Sequence, residues 1–198
     1  NFDRPSLDLC CGDGVYSFIR AGGVLSKDYD AFIDITDTSS FFKGEDIYTQ
    51  KIEDNNLESF VEKTALYKFD VGYDWKQGLL DKAKRLNMYD ELVQGDANQM
   101  LPFKEKRFKT IFSNASYWIE NIEGLLSELK RILAKNGKII LSVPDTAFLN
   151  YSLYNNFIND SRVKDKEFLK LIERGRCEAN FKVLRLRLNG FCLLKMQG

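Results

Sequence analysis

A glycine-rich turn follows the first apolar segment of the chain. Residues 7–11 form a short apolar run that predicts a buried strand, and Gly12-Asp13-Gly14 comes directly after it, ahead of a helical pattern. Glycine lets the backbone turn tightly and lets a ligand approach without meeting a Cβ atom. The helix beyond the turn offers unpaired N–H groups to an anionic part of that ligand. The spacing predicts a ligand-binding turn, although Ser17 stands where a dinucleotide pattern has its third glycine.

Polar residues also stand at the ends of three later predicted strands. They are Asp74, then Asp96-Ala97-Asn98, then Ser113-Asn114. In open parallel sheets, ligands bind outside the carboxyl ends of the strands. An acid at the second strand can accept both hydroxyls of a ribose, and an acid after the third can accept from the amino group of adenine. These residues predict a site for a nucleoside.

The absence of histidine limits the chemistry that the chain can perform. No residue of the chain is histidine, which excludes Ser-His-Asp and Cys-His catalysis, HExxH metal sites and any histidine base. The four cysteines, Cys10, Cys11, Cys177 and Cys192, form no CxxC pair, and no metal site is predicted. We interpret them as structural thiols of a reducing cytoplasm, with redox or metal use as the alternative.

Composition excludes several classes of protein. The chain has 198 residues, 44% hydrophobic and 29% charged, as in an ordinary globular domain. Lys and Arg number 29 and Asp and Glu number 29, so nucleic acid is not an expected partner. No apolar run approaches the roughly 18 residues of a membrane span, and no secretory leader is expected. Oligomeric state is not predictable from these features.

Short apolar runs alternate with helical patterns, which predicts one α/β domain over residues 1–198. We expect a mainly parallel, twisted sheet with helices on both faces. The predicted strands are residues 7–11, 67–73, 91–94, 108–113 and 138–143, and the predicted helices cover residues 79–86 and 122–133. Near the C-terminus, residues 181–188 and 191–196 flank Asn189-Gly190, which predicts an antiparallel hairpin.

Two aromatic-rich segments do not fit this alternation of strands and helices. Residues 24–66 are longer than the few residues that a direct connection needs, and we interpret them as an insertion. Residues 144–180 follow the fifth strand and are a possible substrate cap. The aromatic side chains of both segments could equally form the cores of two subsidiary lobes.

Two acids compete for the ribose position. Asp34 lies about 20 residues beyond the glycine turn, the spacing that a dinucleotide site favours. Asp74 is followed by a helix and then a strand, the order that a βαβ unit requires, whereas residues 36–40 after Asp34 have loop composition. We therefore place the ribose at Asp74.

The order of these segments resembles that of the class I S-adenosylmethionine-dependent methyltransferases. Within that family it most resembles the ubiquinone/menaquinone-type small-molecule group. The resemblance implies a Rossmann-like fold and S-adenosylmethionine as the cofactor. The residues that carry it are 7–14, 72–74, 93–98, 101–103, 108–114, 122–133 and 136–138.

The resemblance implies a role for each matched residue. Asp8, Gly12 and Gly14 would shape the pocket for the methionine part of the cofactor, together with Asp13. Valine at either glycine should abolish binding and leave much of the fold. Cys10 departs from the family, which usually has glycine there.

The nucleoside part of the cofactor would meet later residues. Asp74 would hold the ribose and Trp75 would pack on the adenine face. Asp96 and Ala97 would read the adenine edge next to Asn98, and Ser113-Asn114 would lie beneath the sulfonium. In the alternative interpretation, Asp8 is a satisfied buried acid, Trp75 packs in the core, and Asp96 and Asn98 only form a turn.

These features predict a methyltransferase that acts on a small-molecule acceptor. The alternatives are an NAD(P)-dependent oxidoreductase or epimerase, and a catalytically silent partner protein. Tyr117, Glu120, Asp145 and Tyr151 could act as a base, but none is singled out and no catalytic residue is assigned. Tyr117-Trp118 could form either a substrate wall or an apolar contact at a helix start.

Overall fold

The described chain alternates strands with helices. The computed structural model describes residues 2–30, 57–116 and 119–142. Its strands are β1 (Ser6–Leu9), β2 (Val24–Leu25), β3 (Val61–Lys63), β4 (Phe69–Asp74), β5 (Tyr89–Gln94), β6 (Phe108–Ser113) and β7 (Leu133–Leu141). Its helices are α1 (Val15–Arg20), α2 (Gln77–Arg85) and α3 (Ile122–Ile132), with a 3-10 turn at Leu57–Phe60.

Five strands form the central sheet in the order β5-β4-β1-β6-β7, and all neighbouring pairs are parallel. The predicted α/β, Rossmann-like fold is therefore confirmed. Strand β1 lies in the middle, where Leu9 pairs with Tyr73 of β4 and Asp8 pairs with Phe112 of β6. Because the strands run the same way, the residues that follow β1, β4, β5 and β6 meet at one edge of the sheet.

The helices cover both faces of the sheet. Consecutive strand residues point to opposite faces, and Ile111 and Phe112 of β6 belong to different core clusters. One cluster packs the apolar face of α3 on the sheet, with Leu125 and Leu129 at its centre. The other packs α1 and α2 on the sheet, and includes Phe18. The leucines whose spacing predicted α3 form this buried face.

The two ends of the predicted insertion 24–66 lie side by side. Strand β2 pairs antiparallel with β3, and the Ser26 N–H donates to the Phe60 carbonyl at 2.8 Å. The Leu66 N–H donates to the Ala21 carbonyl at 2.8 Å. The chain thus leaves the sheet after α1 and returns next to α1 before it enters β4. Residues 31–56 lie outside the described residues.

Element boundaries differ from the prediction at the end of α3. The prediction took Lys135-Asn136-Gly137 as the helix end and began the last strand at residue 138. Instead, α3 ends at Ile132, and Leu133 already pairs with Phe108. Asn136 does adopt a left-handed conformation (φ 61°), but it does so within β7, beside a register shift between Phe108 and Thr110.

Some predicted features fall outside the described chain. The hairpin at 181–196 and the possible cap at 144–180 belong to residues 143–198, which the structure does not describe. Within residues 2–30, 57–116 and 119–142, none of the helices has both the length and the apolar character of a membrane span.

Candidate functional site

The glycine turn lies at the carboxyl edge of the sheet between β1 and α1. The Cys11 N–H donates to the Tyr73 carbonyl at 3.0 Å, which ties the turn to β4, and the Gly14 N–H donates to the Cys11 carbonyl at 3.0 Å. Gly12 (φ 58°) and Gly14 (φ 77°) are both left-handed, a conformation that side chains disfavour. The backbone conformation therefore explains why both positions are glycine.

The two glycines have different surroundings. A Cβ atom at Gly12 would meet no atom within 4 Å, so this glycine opens onto free space. A Cβ atom at Gly14 would lie 3.0 Å from Cε2 of Tyr89 and 3.3 Å from Cβ of Ala83. Gly12 therefore faces the space where a ligand could lie, whereas Gly14 permits close packing of the turn on α2 and β5.

Cys10 adopts an unusual backbone conformation for its residue type. Its φ is 57°, a left-handed value that explains why glycine suits this position. The side chain is half-buried against the core cluster on the α3 face. Burial raises the pKa of the Cys10 thiol to about 12, and nearby carboxylates add to this rise, so the thiol stays protonated at neutral pH.

Asp74 lies beside the turn, at the end of β4. Its carboxylate is buried and accepts from the Gly12 N–H at 2.9 Å and from the Lys76 N–H at 3.0 Å. Each oxygen keeps a lone pair beyond these bonds, since an ionised carboxylate has about four acceptor positions. Asp74 therefore holds the turn in place and still has acceptor capacity for the hydroxyls of a ligand.

Asp8 is fully buried below the turn. The Tyr89 hydroxyl donates to its Oδ2 at 2.6 Å, and within the described chain its Oδ1 has no hydrogen-bond partner. Burial raises the pKa of Asp8 to about 7, although hydrogen bonds from Ser17 and Tyr89 oppose this rise. Within the described chain, Asp8 is thus hydrogen-bonded through one oxygen only, and its role toward a ligand stays a prediction.

Asp13 and Trp75 differ in exposure, since Asp13 is half-buried and Trp75 is exposed. Asp13 Oδ1 accepts from the Val15 N–H at 3.1 Å and so satisfies a donor of the first turn of α1. The Trp75 ring is 63% exposed at the end of β4, so it does not pack in the core, and Lys76 Nζ lies 5.1 Å from its centre. An exposed aromatic face next to Asp74 can cover a flat ligand.

Asp96 and Asn98 form a local hydrogen-bonded turn after β5. Asp96 Oδ1 accepts from the backbone N–H of Asn98 at 2.8 Å and from its side-chain amide at 3.0 Å. The Asn98 Oδ1 accepts from the Asn121 N–H at 3.1 Å, which links this turn to α3. Ala97 is buried between them. The turn-forming role expected as an alternative is therefore present, and it holds Asp96 in one orientation.

Ser113 and Asn114 follow β6 at the same edge of the sheet. Ser113 is buried and its hydroxyl accepts from the Ala115 N–H at 3.3 Å, while Asn114 is half-buried. Of the four residues considered as a base, only Glu120 is described, and it is exposed. Tyr117, Asp145 and Tyr151 lie outside the described residues, as does Trp118.

Carboxylates dominate the electrostatics of this edge. The charge of Asp74 adds to the burial that raises the pKa values of Asp8 and Asp13. The charges of Asp74, Asp8 and Asp96 add to the burial that raises the pKa of Cys10. Lys82 acts on Asp13 in the opposite direction. Several acids thus lie at this edge of the sheet, and Asp74 contacts Gly12 directly, a setting that favours a cationic ligand.

Residues 57–141 match a family model described as a methyltransferase domain. These residues extend from the 3-10 turn before β3 to the end of β7 and are similar to a methyltransferase domain. Together with the strand order, this match supports the class I S-adenosylmethionine-dependent fold and implies S-adenosylmethionine as the cofactor. The match begins at residue 57, near the end of the insertion, and so does not include the glycine turn. It does not resolve a subgroup, and the ubiquinone/menaquinone-type group stays a prediction.

Solved structures of other proteins are similar to this chain over part of their length. An S-adenosylmethionine-dependent methyltransferase from Thermotoga maritima is 14% identical (TM-score 0.40), with 69% of this chain and 42% of that protein covered. A candidate methyltransferase from Bacillus halodurans is 22% identical (TM-score 0.42), with 86% and 61% covered. A candidate S-adenosylmethionine-dependent methyltransferase from Methanococcus maripaludis is 14% identical (TM-score 0.42), with 87% and 67% covered.

The chain spans 42% of the Thermotoga protein and 61% of the Bacillus protein, so it corresponds to about half the length of such structures. No protein in a search of curated proteins matches the chain.

The candidate site also depends on residues that sequence reasoning missed. Tyr89 donates to Asp8 and packs against Gly14, yet it opens β5, far from the turn in sequence. Glu128 and Arg131 of α3 bind the backbone of the loop that follows Asn98. A lone tyrosine at a strand start and a charged pair on a helix give no sequence signal for either contact. Their roles arise only from the packing of distant elements.

Proposed function

We propose that this chain binds S-adenosylmethionine at the glycine turn and transfers its methyl group to a small-molecule acceptor. The observation that carries the proposal is the open space at Gly12, whose N–H is held by the carboxylate of Asp74 at an edge of the sheet that also carries Asp13 and Asp96. Glycine at this position leaves room for a ligand, and the acids determine which charge that ligand should carry.

The charge of the site favours this cofactor over a dinucleotide. S-adenosylmethionine carries a sulfonium, an α-ammonium and an α-carboxylate group and so has a net positive charge, whereas the pyrophosphate gives NAD a net negative charge. A carboxylate about 4 Å from a cation stabilises it by roughly 1–4 kcal/mol, and it disfavours an anion by a similar amount. The net negative charge of the acids at this edge would therefore favour the cationic cofactor over a pyrophosphate, although the adenosine part is common to both.

Each residue around the turn has a binding task in this proposal. Asp74 accepts from the ribose hydroxyls while it holds the N–H of Gly12. Trp75 covers one adenine face with its exposed ring. Asp96 accepts from the adenine amino group, and the Ala97 N–H donates to the neighbouring ring nitrogen. Each group is held by strand ends or by hydrogen bonds, which is the positioning that transfer between two bound molecules requires.

When bound, S-adenosylmethionine supplies an electrophilic methyl group, which passes to the acceptor as the carbon–sulfur bond breaks. The protein contributes positioning and the exclusion of water. No base is proposed, because the acceptor atom can be neutral or already ionised. Exocyclic base amines are not proposed as acceptors, since Ser113-Asn114-Ala115-Ser116 lacks the Asn-Pro-Pro-Tyr type of motif.

Nucleic acid is not a proposed partner, and a reducing cytoplasm is the proposed location.

Calorimetry with S-adenosylhomocysteine, NAD and NADP tests cofactor binding. We expect S-adenosylhomocysteine to bind and neither dinucleotide to bind comparably. Tighter binding of NAD or NADP would overturn the proposal in favour of an oxidoreductase. Incubation with tritiated S-adenosylmethionine and a metabolite extract then tests transfer. Label that appears in a small molecule supports the enzyme, whereas cofactor binding without any transfer would indicate a silent binding protein.

A further inference from the structure

The loop at residues 95–107 connects β5 to β6 and carries Asp96 near its start. At its first residue, the Gly95 N–H donates to the Asp74 carbonyl at 2.9 Å. Beyond this point the loop leaves the sheet, and its remaining described contacts include two groups of hydrogen bonds to α3. These two groups anchor the loop at both ends of its path along the helix.

The first anchor lies at the N-terminus of α3. Asn98 binds Asp96 Oδ1 through both its backbone and its side-chain amide, and it accepts from the Asn121 N–H at 3.1 Å. Asn121 is the N-cap of α3, because its own Oδ1 accepts from the Gly124 N–H at 3.1 Å. The carboxylate of Asp96 is therefore oriented from the helix cap through Asn98.

The second anchor lies near the end of α3, where Glu128 and Arg131 form a two-pronged ion pair. Arg131 Nε donates to Glu128 Oε1 at 2.8 Å, and Nη2 donates to Oε2 at 2.6 Å. The same guanidinium donates to the Leu101 carbonyl at 2.9 Å and to the Phe103 carbonyl at 2.8 Å. Glu128 Oε2 also accepts from the Leu101 N–H at 2.9 Å. The pair thus makes three hydrogen bonds to the loop backbone.

An ion pair that only supported its own helix would face water. Here the Arg131 and Glu128 side chains are 26% and 19% exposed, and both turn toward the loop. The Arg131 hydrogen bond lowers the pKa of Glu128, so the pair is charged at neutral pH. A planar guanidinium holds a carboxylate and two carbonyls in a fixed geometry, which a lysine ammonium does not reproduce.

We propose that Glu128 and Arg131 are positioning residues for the nucleobase of the cofactor. They touch no ligand, but they fix the far end of the loop, while Asn98 and Asn121 fix its near end. This clamp holds Asp96 and the Ala97 N–H against the adenine edge, and so sets the preference for adenine over a base with the opposite hydrogen-bonding edge. The inference rests on the function proposed above.

The test compares S-adenosylhomocysteine with S-inosylhomocysteine, in which a carbonyl replaces the amino group and the adjacent ring nitrogen carries a proton. This analogue therefore presents an acceptor to Asp96 and a donor to the Ala97 N–H, so neither hydrogen bond to the base can form. The full chain should prefer the adenine compound by about 10- to 150-fold, the range for a hydrogen bond to a charged group. The variants are R131M and R131K, with K130M as the matched control on an exposed position of α3.

We expect both Arg131 variants to bind the adenine compound more weakly and to lose most of the preference, down to a few-fold, while K130M keeps it. Circular dichroism and thermal unfolding verify folding, and R131K carries the test if R131M does not fold. A folded Arg131 variant with the full preference, or an equal loss in K130M, would overturn the inference alone. A wild-type chain that binds neither compound would instead overturn the proposed function.

Discussion

Asp8 is the residue whose environment is most unusual. It is a carboxyl group in the middle of the sheet, with one oxygen bound by Tyr89 and the other without a partner in the described chain. An ionised carboxylate in such a place is costly, and burial therefore raises the pKa of Asp8 to about 7. A cationic group of the cofactor above the turn would favour the ionised form.

This pKa makes the stability of the unliganded protein depend on pH. An unfolded Asp has a pKa of about 4, so between about pH 4 and 7 the folded state holds a proton that the unfolded state has released. The free energy of unfolding should therefore fall as the pH rises from 4 to 7, by up to about 1.4 kcal/mol per pH unit. The Asp8→Asn variant should lack this contribution.

Urea unfolding of the wild type and of Asp8→Asn at three pH values in this window measures the difference. Subtraction of the two curves removes the contribution of all other groups. The Asp81→Asn variant, which changes an exposed carboxyl on α2, should keep the wild-type slope. Equal slopes for the wild type and Asp8→Asn would show that Asp8 is ionised in both states.

Two adjacent cysteines allow a matched test of backbone strain. Cys10 is left-handed, which costs an ordinary residue roughly 1–2 kcal/mol, whereas Cys11 is buried and is not left-handed. In Cys10→Gly, relief of this strain should offset the lost thiol contact, for a net change within about 1 kcal/mol. In Cys11→Gly, lost burial and added chain entropy should lower the free energy of unfolding by about 1.5–2.5 kcal/mol. Denaturant unfolding would contradict this if Cys10→Gly were the more damaging change.

At the scale of elements, the glycine turn combines space for a ligand at Gly12 with close packing at Gly14, and the sequence did not distinguish the two. The sequence predicted that valine at either glycine would remove binding and leave much of the fold. The structure restricts this expectation to Gly12, which opens onto free space, because a Cβ at Gly14 would press on Tyr89 and Ala83.

Alanine at each glycine should therefore act on different properties. Gly12→Ala should reduce S-adenosylhomocysteine affinity about tenfold or more, with a stability loss of roughly 1–2 kcal/mol from strain. Gly14→Ala adds overpacking of about 1–3 kcal/mol to the same strain, so it should be the less stable variant. Calorimetry and thermal unfolding of both variants measure this. A Gly12→Ala protein with normal affinity would show that the turn is only structural.

The elements themselves were predictable where a local pattern specifies them. The leucine and isoleucine spacing in residues 122–133 gave α3 because an amphipathic helix must bury one face, and β6 was predicted at its observed bounds. The early start of β7 was not predictable, since Leu133 pairs only because Phe108 lies alongside. The contacts of Tyr89 and Arg131 were missed for the same reason: each joins elements that are distant in the chain.

At the scale of the whole molecule, the order of the strands places Asp74 beside the glycine turn. The strand paired with β1 on this side is β4, which ends at Asp74, although more than 40 residues separate it from α1. Strands β2 and β3 close the intervening segment at its base, so the parallel sheet continues as if the connection were short. The topology therefore depends on which strand can pair in parallel and not on sequence distance.

The last prediction follows from this topology and compares Asp74 with Asp34, which lies outside the described residues. Asp74→Ala removes an acceptor beside Gly12, so S-adenosylhomocysteine should bind about 10- to 150-fold more weakly, equivalent to 1.5–3 kcal/mol. Asp34→Ala should change binding by less than about 0.5 kcal/mol. Asp74→Asn keeps an acceptor for only one of the two backbone N–H groups, so we expect a lower melting temperature as well, and a loss of affinity in a variant that still unfolds cooperatively would separate ribose binding from support of the turn. A larger effect of Asp34→Ala in calorimetric titration would mean that the ribose lies against the insertion and not at the end of β4.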